Sequence, residues 1–90
     1  MDEDLTIKWQ RVVDKFTLQK SGMKPWDALL LSKQLPGCSS AERQVILFLL
    51  HVWDSKGDWP EPFDFIEAFG TWDTDNKQAF IDWADEPLRP

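Results

Sequence analysis

Val45-Ile46-Leu47-Phe48-Leu49-Leu50-His51-Val52-Trp53 is an almost wholly apolar run set in an otherwise polar, acidic chain. It is far shorter than the roughly 20 apolar residues that span a bilayer, so it reads as a buried helix and not as a membrane segment. Ser39 followed by Glu42 forms a capping box ahead of it, and Gly57 stands where a C-terminal cap belongs. The central helix is therefore expected over about residues 39–56.

Working outward, Leu5, Trp9, Val12, Val13 and Phe16 recur on one helical face while Lys8, Arg11 and Lys15 fall on another. This predicts an amphipathic first helix over about 4–20, with Asp2, Glu3 and Asp4 at its positive end and Ser21-Gly22 as its stop. Pro25 suits the first position of a short second helix whose Trp26, Leu29, Leu30 and Leu35 share a face, ended by Pro36-Gly37. After a connector at Asp58-Trp59-Pro60-Glu61-Pro62, Phe65, Ile66 and Phe69 predict a fourth helix ended by Gly70. Asp73 or Thr74 caps a fifth, carrying Ala79, Phe80 and Trp83. Glu86 to Pro90 reads as a frayed tail. No strand or hairpin signal appears, so the fold class is all-α: a compact bundle of four to five short helices in one domain, 1–90.

Ninety residues bury only a small core, and six Trp with six Phe enlarge it, since each buried ring removes roughly 150–250 Å² from water. A single cysteine, Cys38, forms no internal disulfide, and no secretory signal precedes the first helix; both fit a reducing cytoplasm. The charge is uneven. Residues 1–53 carry a balance of +1, whereas residues 54–90 hold ten acids against three bases, a balance of −7. Such a half disfavours nucleic acid and suits a basic protein surface or a cation.

The sequence offers little chemistry. His51 has no second histidine and is expected to bond Asp54. Cys38 and His51 stand thirteen residues apart, roughly 20 Å along a helix, too far for a nucleophile and base. Asp54-Ser55-Lys56-Gly57-Asp58 departs from a calcium loop, because Gly57 is fourth instead of sixth and position twelve is Phe65. With only four glycines and no phosphate-binding loop, neither an enzyme nor a cofactor or metal is expected. A helix-turn-helix over Ser32 to Gln44 is disfavoured by the apolar residues that follow Gln44.

Ser39, Arg43, Val45, Phe48-Leu49-Leu50 and Trp53-Asp54, then Phe63-Asp64-Phe65 and Trp72-Asp73, resemble a pattern in small uncharacterised helical proteins of bacterial plasmids and integrated elements. There the run is Phe-Leu-Leu-x-x-Trp-Asn followed by Phe-Asp-Leu. The resemblance covers about residues 39–73, departs at Asp54 and at the connector 58–62, and implies a bacterial, mobile-element setting without implying an activity.

The sequence thus favours a binding protein, an adaptor or inhibitor, that docks a basic partner through Asp58, Trp59, Glu61, Asp64, Asp73 and Asp75. Trp59 is the ring expected to stand exposed as its anchor. Two other readings are kept: a homodimer joined through Leu47, Phe48 and His51, and a nucleic-acid-associated accessory protein using Lys8, Arg11 and Lys15.

Overall fold

The Ser39 hydroxyl accepts the Glu42 backbone N–H at 3.3 Å while the Glu42 carboxylate accepts the Ser39 N–H at 3.0 Å, so the capping box closes as the spacing predicts. That backbone hydrogen bond holds the Glu42 carboxyl below the usual glutamate range. In this computed structural model, which describes residues 5–18, 20–57 and 59–88, the box opens the central helix α3 (Ser40–Trp53). Every residue from Gln44 to Leu50 is buried, so neighbours cover α3 on all sides through that stretch.

The other helices are α1 (Leu5–Asp14), α2 (Ala28–Ser32), α4 (Phe65–Thr71) and α5 (Thr74–Asp85), with a short 3-10 turn at Leu35–Gly37. The architecture is all-α, with no strand among the described residues. The Asp2, Glu3 and Asp4 cluster expected at the first helix end lies outside the described residues, as do Arg89 and Pro90 of the expected tail.

Three elements differ from expectation. α3 ends at Trp53, where the Asp54 N–H donates to the Leu50 carbonyl as the C-cap, so Gly57, expected as the cap, lies in the turn beyond the helix. α1 ends at Asp14 and not near residue 20, and its end tightens through Lys15 N–H to Val12 and Phe16 N–H to Val13. Beyond it, the Thr17 N–H and hydroxyl both donate to Asn76 Oδ1, at 3.0 and 3.2 Å, which diverts the chain toward α5. Phe16 stays buried, its ring 5.7 Å from Phe48 and 5.8 Å from Trp72.

α2 starts three residues after Pro25. Gly22 adopts φ +97°, where a Cβ would stand 2.8 Å from both the Asp27 carbonyl oxygen and the Leu31 nitrogen, so this turn requires glycine. The turn delivers Asp27 as the N-cap, its carboxylate accepting Leu30 N–H at 3.1 Å. Of the four residues expected to share a face, Leu35 is buried and Trp26 packs half-buried against the core, whereas Leu29 is 69% exposed and Leu30 is also exposed, and Leu31 is the residue of α2 that turns inward. Gln10 holds the turn against α1 by accepting Trp26 N–H at 3.0 Å and donating to the Met23 carbonyl.

The rings form two groups. Trp9, Trp26 and Trp53 meet at centroid distances of 5.3, 5.4 and 5.7 Å. Phe48 centres the other, with Phe63, Phe80 and Trp83 between 5.0 and 5.4 Å away. Leu47 and Phe48 are buried in this packing, because α4, α5 and the 59–64 connector cover that side of α3, so the alternative of a homodimer joined through them loses both side chains. The Cα radius of gyration is 12.3 Å, close to the ~12 Å of a compact chain of this length.

Candidate functional site

The connector after α3 is built from side chains that the sequence marks for recognition, and most of them are held by the protein itself. Trp59 is half-buried, its Nε1 donating to the Asp54 carbonyl at 2.9 Å. Its ring lies so near Gly57 that a Cβ there would stand 2.7 Å from Nε1. Trp59 therefore closes the turn after α3 and does not stand free as an anchor. Asp58 lies outside the described residues.

Glu61 faces inward along the same path. Its carboxylate pairs with Arg43 of α3, and its carbonyl accepts His51 Nε2 at 2.7 Å, in place of the expected His51 to Asp54 bond. Next, Asp64 N–H donates to the buried Gln44 side chain at 2.8 Å, and the Asp64 carboxylate caps α4 by accepting Glu67 N–H at 3.1 Å. Asp73 caps α5, accepting Asn76 N–H at 2.9 Å. Both capping residues, Asp64 and Asp73, remain exposed. Asp75 stands exposed in the first turn of α5, in a shallow groove shared with Asp82 and Lys15.

The ring that does stand exposed is on α4 instead. Ala68 is fully buried and, being small, lets α4 sit close against α3, so Phe65 and Ile66 are 53% and 82% exposed. Phe65 stacks on Phe69 at 4.5 Å and meets Phe80 of α5 edge-on at 5.8 Å, which fixes the ring from behind while one side faces water. The exposed carboxylates of Asp64 and Glu67 flank the pair in sequence on the same helix end. Sequence reasoning missed this because the spacing of Phe65, Ile66 and Phe69 reads as a buried face. The available signal was Ala68, the one small residue at contact spacing from Phe65 and Trp72.

Elsewhere, among the described residues, the indole N–H groups of Trp9 and Trp26 are buried without a hydrogen-bond acceptor. Cys38 is half-buried before α3, its thiol donating to the Gln34 carbonyl at 3.1 Å, and burial pushes its pKa up, against lowering by Lys20. Cys38 and His51 thus engage different backbone carbonyls, on either side of most of α3. Among the described residues no group of three or more His, Cys, Asp or Glu is placed to hold a metal ion. No helix among them is long and apolar enough to cross a membrane. The chain matches no protein-family model, no curated protein and no solved structure.

Proposed function

We propose that the chain is a small cytoplasmic protein-binding module, an adaptor or inhibitor without catalytic activity, that docks a basic partner surface through its acidic aromatic C-terminal half. The observation that carries this reading is the exposure of Phe65 and Ile66 beside Asp64 and Glu67. A rigid ring backed by other rings is ordered before binding, so little side-chain entropy is lost when a partner covers it. The −7 balance of residues 54–90 steers a positively charged surface toward that anchor and disfavours acidic ones. Under this reading, and in line with the resemblance of residues 39–73, the partner is a bacterial protein presenting an apolar patch ringed by Lys or Arg.

The test is capture of partners from a bacterial lysate by the tagged protein and by the double variant Phe65→Ser/Ile66→Ser. A basic protein retained by the parent, eluted by salt and absent from the variant is the expected outcome. Retention of the same protein by a folded double variant overturns the assignment of the anchor.

A further inference from the structure

A surface cavity of about 440 Å³ opens between the C-terminal end of α3 and the second half of α5, with Trp53 and Trp83 in its walls. Its acceptors come from the way α3 ends. The Leu50 carbonyl takes Asp54 N–H at 3.0 Å, and the Asp54 carbonyl takes Gly57 N–H at 3.0 Å together with Trp59 Nε1. No donor among the described residues reaches the carbonyls of His51, Val52 or Trp53, and all three residues line the cavity. A helix C-terminus of this kind carries unsatisfied acceptors and a partial negative charge.

The walls favour the same sign. Indole faces attract cations through their quadrupole. Trp83 is held in place by its Nε1 donating to the Leu88 carbonyl at 3.1 Å and by edge contact with Phe48 at 5.0 Å. Trp53 is held by Trp9 and Trp26. Asp54, exposed at the lip, adds a full negative charge, while Lys56, also exposed there, opposes it from the end of a flexible stem.

We propose that this cavity takes a guanidinium group, supplied by an arginine side chain of the basic partner. A guanidinium is planar enough to stack on indole and has five N–H donors for the helix-end carbonyls, whereas a quaternary ammonium has none. The proposal rests on the docking reading and deepens it. Ring contacts run from Phe65 to Phe80 at 5.8 Å and from Phe80 to Trp83 at 6.1 Å, so the exposed anchor and the cavity belong to one aromatic row.

The test is titration of the full chain with N-acetyl-arginine amide and, in parallel, with N-acetyl-citrulline amide, which has the same shape without the charge. The readout is the set of indole N–H resonances by nuclear magnetic resonance. The expected result is a saturable shift of the Trp53 and Trp83 signals with the arginine compound and at least ~10-fold weaker binding of the citrulline compound, the difference a lost charge-assisted contact makes. Lys56→Glu should tighten arginine binding several-fold. Asp54→Asn should weaken it, and Asn keeps a side-chain oxygen where Asp54 accepts Lys56 N–H at 3.1 Å, so the turn survives. Equal responses to the two compounds, shifts confined to Trp9 and Trp26, or weaker binding to Lys56→Glu would each overturn the proposal. Failure of the arginine compound with Ile66-dependent partner capture intact removes the cavity alone; the reverse pattern removes the α4 anchor and leaves the cavity.

Discussion

Cys38 shows how a single side chain reports its surroundings. Its thiol donates to the Gln34 carbonyl and burial raises its pKa, so the reactive thiolate forms at higher pH than in an exposed cysteine, whose pKa is ~8.5. Alkylation of Cys38 by iodoacetamide should therefore show a pH midpoint above that of a free cysteine peptide measured alongside, and an equal or lower midpoint would contradict the assigned burial. Gln44 is a second case. Its buried amide oxygen accepts the Asp64 N–H at the edge of the core, so Gln44→Ala should cost ~0.5–1.5 kcal/mol in urea unfolding, the usual net contribution of one such hydrogen bond. Nothing local in the sequence marks Gln44 as buried, because the partner its side chain meets is twenty residues away. Asn76, bonded to Thr17, was hidden for the same reason, whereas Asp73 was readable as a cap because its partner Asn76 is only three residues on.

Among the elements, legibility follows how local the determining interaction is. α3 was readable in its start and its role, since its capping box and apolar run are contiguous, whereas its end was placed about three residues too late because Asp54, not Gly57, is the C-cap; Ser39→Ala should lower stability by ~1 kcal/mol. The Glu42 half of that box is pH-dependent: its carboxyl pKa is depressed in the folded protein, so its contribution is present above the ordinary glutamate value and is lost as pH falls through the folded one. The stability gap between the parent and Glu42→Gln should accordingly be widest near neutrality and close in acid, where both side chains are uncharged. α2 was misread because its start is set by the Gly22 turn and the Asp27 cap and not by Pro25, and the helix laid down from there turns Leu31 into the core in place of Leu29 and Leu30. Two substitutions separate the alternatives. Leu31→Ala should cost ~2–5 kcal/mol as a core truncation, and Leu29→Ala should stay within ~0.5 kcal/mol. The opposite order would restore the face read from the sequence.

At the scale of the whole molecule, the proposed docking predicts separable contributions from the apolar pair of α4 and from the charge, and salt distinguishes them. Under the proposed docking, Phe65 and Ile66 would act by burial against the partner, which moderate sodium chloride changes little, whereas the excess carboxylates of residues 54–90 would act over distances that salt screens. Raising ionic strength from 0.1 M to 1 M shortens the screening length from about 10 Å to about 3 Å, so the parent should lose affinity mainly through a slower association rate. Glu67→Lys should reproduce that loss at low salt and flatten the salt dependence, because it reverses one charge at the rim of the anchor. Ile66→Ser should instead raise the dissociation rate at every salt concentration and leave the slope of affinity against salt unchanged, since it removes apolar contact and no charge. Both side chains are exposed, so neither variant should shift the unfolding midpoint appreciably. Surface plasmon resonance on the captured partner at four salt concentrations resolves the two rates. Were Ile66→Ser to flatten the salt slope as Glu67→Lys does, the apolar pair and the carboxylates would not be acting as anchor and rim, and the docking surface would have to be moved off α4.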